Sequence, residues 1–235
     1  ELRTPLNAII GFSEILAGEM MGPIGTAAYR EYANDIHNSG QHLLEIINDI
    51  LEISRIEAGK LQLREANLDV AEIVDRTVRL VRDRAVAAGL QVAVDVPQGL
   101  PPLYADERLL KQSLLNLLTN AVKFTRKGGA IVATVERGRD SGIVFAVRDS
   151  GIGIEAHKID KVFQPFYQVD SSLARTQEGL GLGLPLVKSF IELHGGRVTI
   201  ESEFGRGTVV RLHFPADRCR FDEAPATASA EVEHS

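Results

Sequence analysis

Three polar side chains in the stretch "NLLTNAVKFT" are spaced to act together. On a helix Asn116, Asn120 and Lys123 fall at i, i+4 and i+7, which sets two amide oxygens and an ammonium on one face. An amide oxygen can ligate a Mg²⁺ ion that keeps several waters and bridges phosphates, and a nearby Lys supplies a point charge for the same phosphates. Three such residues alone also fit an ordinary polar helix face. Against that stands the core stripe Leu114, Leu115, Leu118 and Val122, which leaves a pair of poor helix formers in the middle of an otherwise apolar helix. A second stretch, "VRDSGIGI", ends a strand in Asp149 and follows it with Gly151 and Gly153, which let a backbone approach a ligand closely. A third, "EGLGLGLPL", carries Gly179, Gly181 and Gly183 into a helix whose first amides could face an anion. Between them Phe163 and Phe166 of "KVFQPFYQVD" read as core residues, and "EFGRGTVV" reads as a hairpin turn leading to Thr208.

The elements that must hold these residues follow from periodicity. Residues 1 to about 60 read as two long helices broken at Gly18, Gly22, Pro23 and Gly25. In the second, Ile36, Leu43 and Ile50 recur every seven residues, as do Ile46 and Ile53, with Ile47 and Leu51 widening the stripe. A two-helix hairpin cannot bury that face alone, so two chains are expected to pair into a four-helix bundle. Asp69 and Glu72 form a capping box for a helix running to Gly89; "LQVAVDV" alternates as a strand, "PQGLPPLY" reads as a loop, and Asp106 can cap the helix that bears Asn116. The strands "GAIVATVERG" and "GIVFAVRD" flank the turn "RDSG"; the helix "GLPLVKSFIELH" stops at Gly195 and Gly196; "RVTIESE" and "TVVRLHF" close as a hairpin around Gly205. The expected fold is α+β: a helical hairpin over 1–64, then an α/β sandwich over 65–216 with helices on one face of a mainly antiparallel sheet, then a disordered tail over 217–235.

Composition narrows the function classes. Of 235 residues 44% are hydrophobic and 25% charged, as in a folded protein with a sizeable core. With 26 basic and 32 acidic residues the net charge is -6, and no local basic patch stands out, so nucleic acid is not an expected partner. The single Cys219 excludes an internal disulfide and offers no Cys/His metal spacing, which fits a cytoplasmic setting. No apolar run approaches the roughly 20 residues of a membrane span.

In their order N-x-x-x-N-A-x-K-F, D-x-G-x-G, F-x-P-F, G-x-G-x-G and G-x-G-T, these segments closely resemble the ATP-binding domain of sensor histidine kinases, a superfamily shared with type II topoisomerases, MutL and heat-shock protein 90 chaperones. The resemblance covers about residues 65 to 216. It implies that Asp149 accepts a hydrogen bond from the adenine amino group, that Asn120 ligates Mg²⁺, that Asn116 and Lys123 lie beside the phosphates, and that Thr208 lies near the adenine. It also implies that Gly151 and Gly153 form the first glycine box and that Gly179, Gly181 and Gly183 belong to a lid, about Phe163 to Gly183, which orders only with nucleotide. ATP and Mg²⁺ are the implied cofactors. Relatives that hydrolyse ATP for motion carry Glu at position 116; Asn116 has no proton-accepting carboxylate, which reserves the phosphoryl group for a side chain and disfavours a nucleotide-driven clamp. Two positions depart from the pattern. Gln168 stands where many members have Arg, and Leu180 where a small hydroxyl residue is usual, although Arg175 offers a replacement charge.

The opening "ELRTPLNAIIGFSEIL" and the following helix resemble the same family's dimerisation and phosphotransfer hairpin. The family motif is H-E-x-x-T-P, and Glu1, Thr4 and Pro5 match it, which puts the phosphoacceptor His one residue before Glu1. Glu1 is then the group that assists phosphorylation, and Thr4 the one that helps orient water when the partner is dephosphorylated. None of His37, His42, His157, His194, His213 or His234 takes the acceptor's place. The resulting expectation is a protein-histidine kinase core that passes its phosphoryl group to an Asp of a response-regulator receiver domain, with a homodimer through the hairpin and a parent protein either cytosolic or membrane-attached. The alternative is an ATP-binding pseudokinase scaffold. As written, the chain should bind ATP without autophosphorylating on histidine.

Overall fold

The computed structural model describes residues 3–20, 22–168 and 180–219, with only the backbone of residues 3–5. The chain divides into two compact units, the boundary lying between Leu61 and Gln62.

The first unit is a helical hairpin of α1 (Arg3–Ala17) and α2 (Ala27–Glu57). Among the described residues Pro5 is the third of α1. The two helices meet closely at Gly40, where an added Cβ would lie 2.8 Å from Ile10 Cγ1. Leu6, Ile10, Ser13, Ala33 and Gly40 are buried there, and Ser13 Oγ donates to the Ile10 carbonyl at 2.7 Å. The heptad stripe behaves as its period predicts for a helix without its full complement of neighbours. Ile36, Leu43, Ile50 and Leu51 on α2 remain 39–48% exposed, and Ile9, Phe12 and Leu16 on α1 are exposed as well.

The second unit begins with β1 (Glu65–Leu68), followed by α3 (Val70–Ala87), β2 (Gln91–Asp95), β3 (Leu103–Asp106), α4 (Glu107–Phe124), β4 (Ala130–Arg137), β5 (Ile143–Asp149), α5 (Gly183–Leu193), β6 (Arg197–Glu203) and β7 (Gly207–Phe214). Five strands form a sheet of order β2-β4-β5-β7-β6, in which only the β2–β4 pair is parallel; β1 and β3 make a separate antiparallel pair. One face of the sheet, from Ile131, Ala133, Phe145, Val147, Val210 and Leu212, packs against Val74, Val78 and Val81 of α3, Leu114 and Leu118 of α4, and Val187 and Ile191 of α5. Each buried Leu, Ile or Phe contributes about 1.5–3 kcal/mol. The expected α+β layering is present, and the predicted caps are made: Asp69 accepts from the Glu72 amide, and Asp106 Oδ1 accepts from the amides of Arg108 and Leu109.

Three local readings need correction. Strand β3 begins within the predicted loop "PQGLPPLY", and β1 was not anticipated; both are four residues long, too short for a period-2 signal, and β3 is buried on nearly every residue. The order of the chain continues past Asp217: Ala216–Arg218 form a 3₁₀ turn, Arg218 pairs with Glu65, and the buried Cys219 bridges to Leu103. Side chains anchoring one by one leave no periodic apolar face to read. Residues 220–235 lie outside the described residues.

Where the start of α4 meets the end of α5 sits a buried polar knot. His194, 1% exposed, donates from Nδ1 to the Phe190 carbonyl at 2.7 Å and accepts at Nε2 from the Asp106 amide at 3.0 Å. Those two bonds require the neutral imidazole, and burial lowers its pKa in the same sense. Asp106 Oδ2 also takes the Arg64 amide at 2.9 Å, so the start of β1, the start of α4 and the end of α5 meet on one residue pair.

Candidate active site

The predicted motifs converge at one end of the sheet. Asp149, at the end of β5, lies opposite Thr208 of β7 and Ile131 of β4. Its Oδ1 accepts from the Gly151 amide at 2.8 Å, and the Thr208 amide also lowers its pKa; burial outweighs both and raises it above the ordinary carboxylate value. A half-buried carboxylate held in this way is poised to accept a hydrogen bond from a ligand.

The loop after Asp149 is tied down on both sides. The Ile152 amide donates to the Phe124 carbonyl at the end of α4 at 3.2 Å, and the Gly205 amide donates to the Ile152 carbonyl at 2.7 Å. The glycines are needed for this approach. A Cβ on Gly151 would lie 2.5 Å from the Phe124 carbonyl oxygen, and Gly153, at φ +67°, would place one 2.0 Å from the Glu203 carbonyl oxygen. The structure thus brings α4, the D-x-G-x-G loop and the G-x-G-T turn together.

On α4, Asn116, Asn120 and Lys123 are half-buried, and Lys123 Nζ lies 5.1 Å from the centre of the Phe124 ring. Asn116 Nδ2 donates to the carbonyl of Gly183, the first residue of α5, at 3.5 Å, which joins the two helices beside the site. Gly181 packs against the backbone of Tyr167. No group of three or more His, Cys, Asp or Glu residues able to hold a metal occurs among the described residues, and the side-chain amide oxygens of Asn116 and Asn120 are neutral oxygen donors of the kind a divalent cation accepts. That set fits a Mg²⁺ whose other ligands are water and phosphate oxygens, and not a cation needing an all-protein cage.

Phe163 and Phe166 depart from the core reading: Phe163 is half-buried with Lys188 Nζ 5.6 Å from its ring centre, and Phe166 is 61% exposed at φ +64°. Leu180 is 36% exposed. Gly179, Arg175 and Glu1 lie outside the described residues, and Thr4 is described only as part of the α1 backbone. Sequence reasoning missed Ser202. Its Oγ is 2.9 Å from Thr208 Oγ1 and accepts from the Ile154 amide at 2.8 Å. Pairing "VTIESE" with "GTVVRLHF" across the Gly205 turn would have set Ser202 opposite Thr208.

This fold and site define an ATPase-type nucleotide domain. Residues 105–218 match the family described as histidine kinase-, DNA gyrase B- and HSP90-like ATPase, and residues 1–59 match the His kinase A (phospho-acceptor) domain. The chain belongs to the sensor histidine kinases. It is 49% identical over 218 residues to the "Non-motile and phage-resistance protein" of Caulobacter vibrioides, covering 92% of this chain and 26% of that protein. It is 44% identical over 215 residues to histidine protein kinase DivJ of the same organism, covering 92% of this chain and 36% of DivJ. The chain therefore spans well under half the length of these curated relatives. The crystal structure of full-length ShkA in complex with AMPPNP superposes with a TM-score of 0.77 at 32% identity, covering 91% of this chain and 43% of ShkA. Among the described residues no helix is long and apolar enough to cross a membrane.

Proposed function

We propose that the chain is the catalytic core of a sensor histidine kinase, which moves the γ-phosphoryl group of Mg-ATP to a histidine and from there to an Asp of a response-regulator receiver domain. The observation that carries this reading is the convergence of Asp149, Thr208, the Gly151–Gly153 loop and the Asn116–Lys123 face at one end of the sheet. The bound nucleotide in the ShkA structure supports ATP as the ligand.

In this reading Asp149 takes the adenine amino group, a donor that guanine lacks at that position. Asn120 holds Mg²⁺, which supplies charge neutralisation at the phosphates when bound. Asn116 and Lys123 position the phosphates, and Gly179, Gly181 and Gly183 close over them. Asn116 carries no carboxylate to take a proton from water, so a positioned side-chain nucleophile is the favoured acceptor; beyond in-line placement and charge stabilisation the transfer needs little from the protein. In this reading the phosphoacceptor position is the one directly before Glu1, where Glu1 would polarise an imidazole and Thr4 would serve the reverse, dephosphorylating reaction. The uncovered Ile36, Leu43 and Ile50 face of α2 supports a homodimer built on the hairpin. A strictly monomeric mass at micromolar concentration would refute that part.

The test is to place a His directly before Glu1 and incubate the chain with γ-labelled ATP and Mg²⁺. Acid-labile label is expected, and it should vanish with Asn120→Ala and in the chain starting at Glu1. Absence of label with nucleotide bound would reject autokinase activity and leave a scaffold.

A further inference from the structure

The hydroxyl pair beside Asp149 has a direction that proton counting determines. Ser202 Oγ has three neighbours: the Ile154 amide at 2.8 Å, the Gly207 carbonyl at 3.0 Å and Thr208 Oγ1 at 2.9 Å. The amide can only donate and the carbonyl can only accept, so all three contacts are hydrogen bonds at once only when the single Ser202 proton goes to Gly207. The Thr208 hydroxyl must then donate to Ser202. With one bond donated and two accepted, Ser202 is saturated, and the remaining lone pairs of Thr208 Oγ1 are left for the site. Thr208 lies directly across from Asp149 in the β5–β7 register, so the two side chains share one face of the sheet.

From this geometry we infer that Ser202 is a positioning residue for base selection: it locks the Thr208 hydroxyl as an acceptor at the position where the purine 6-substituent meets the protein. The inference rests on the proposal that the base binds at Asp149. Two acceptors, Asp149 and an oriented Thr208, favour a 6-amino group directly or through one water, and both oppose a 6-oxo group. Without Ser202 the Thr208 hydroxyl can rotate and donate, so a 6-oxo purine becomes less disfavoured. The same serine holds the Ile154 amide and so ties the loop after Gly153 to the β6–β7 hairpin.

The experiment compares ADP with IDP, which differ at position 6 and in the N1 proton that the 6-oxo base carries, and which both lack the guanine 2-amino group, by calorimetric titration of the full chain. The wild-type chain should prefer ADP. In Ser202→Ala the ratio of the IDP to the ADP dissociation constant should fall about five-fold, the worth of one ordinary hydrogen bond. Ser202→Thr, which keeps a hydroxyl, should stay within about two-fold of the wild-type ratio. Thr208→Val leaves the Ile154 clamp intact and removes the oriented group; it should lower the ratio as Ser202→Ala does, and adding Ser202→Ala to it should change the ratio no further. If Ser202→Ala weakens both nucleotides equally, or if the double variant loses selectivity additively, the serine only holds the loop and the inference falls. A wild-type chain that binds both nucleotides alike would instead overturn the assignment of Asp149, before any Ser202 variant is made.

Discussion

Replacing Asp149 by Asn should weaken nucleotide binding while making the nucleotide-free domain more stable. Burial raises the Asp149 pKa, so its charged form is disfavoured in the folded state. The sign follows directly. A carboxyl whose folded pKa lies above its unfolded value stabilises the fold below the unfolded value, and that contribution disappears as pH rises through the folded value. At pH 7.5 the ionised group therefore works against folding, and an uncharged Asn removes that cost. Binding moves the other way. Asn can keep the Gly151 amide on its oxygen, the bond that Asp149 Oδ1 makes at 2.8 Å, but it then turns an NH₂ donor toward the adenine amino donor. Losing a hydrogen bond to a charged acceptor costs about 1.5–3 kcal/mol, or roughly 10- to 150-fold in affinity. Calorimetric titration with ADP and scanning calorimetry without nucleotide measure the two effects. ADP binding within three-fold of wild type, or a lowered melting temperature without nucleotide, would refute the assignment. Because the charged carboxylate is the acceptor, ADP affinity of the wild-type chain should also begin to fall at a higher pH than an ordinary Asp would cause.

The other elements make separate predictions. Asn120→Ala should abolish the Mg²⁺-dependent part of ADP affinity and leave affinity in EDTA within about two-fold, since the side chain is proposed to reach the nucleotide only through the ion. His194→Ala should cost about 3–5 kcal/mol by urea titration, from the cavity and from the orphaned Asp106 amide. Because the folded pKa of His194 is lowered by burial, with Arg218 adding to that and Glu65 and Asp106 opposing it, wild-type stability should decline as pH falls below about 6.5, and the Ala variant should lack that component. On α2, burial and the charges of Glu52 and Glu45 raise the Asp49 pKa to about 6. Its contribution to stability is therefore lost as pH rises through about 6, so Asp49→Asn should raise the melting temperature of the hairpin at pH 7.5 and leave it unchanged near pH 3.5.

What was legible in the sequence was whatever repeats or punctuates. Heptads gave α2, the Asp69 and Asp106 caps gave the starts of α3 and α4, and paired alternating runs around "RDSG" and Gly205 gave the antiparallel strands. The motif residues were legible because glycines and amides are costly in regular elements and so stand out against their neighbours. Short β1 and β3 escaped because four residues hold too little alternation, and Cys219 escaped because it pairs with Leu103 through a single isolated β-bridge. Ser202 and His194 escaped for another reason. His194 acts through Asp106, a partner distant in sequence that no local pattern marks, and Ser202, although the hairpin register sets it opposite Thr208, also holds the distant Ile154 amide.

Two strand-end aspartates show how a structure separates roles that a sequence leaves alike. Asp106 ends β3 and Asp149 ends β5, and each is followed by a turn of backbone that presents amides to it. A carboxylate has about four lone-pair positions. Asp106 takes three of them up with the amides of Arg64, Arg108 and Leu109 and has the Arg108 guanidinium in ionic contact at 3.6 Å, at 1% exposure. Asp149 has the amides of Gly151 and Thr208, and lone pairs remain. A saturated buried carboxylate can only hold structure together, whereas an undersaturated, half-buried one is a destabilising charge until a donor arrives. The same substitution should therefore act with opposite sign at the two sites. Asp106→Asn turns an NH₂ toward amides that need an acceptor and should cost about 1.5–3 kcal/mol of stability, while Asp149→Asn should raise stability without nucleotide. Matching signs in a single scanning-calorimetry series would mean that saturation does not distinguish the binding carboxylate from the structural one.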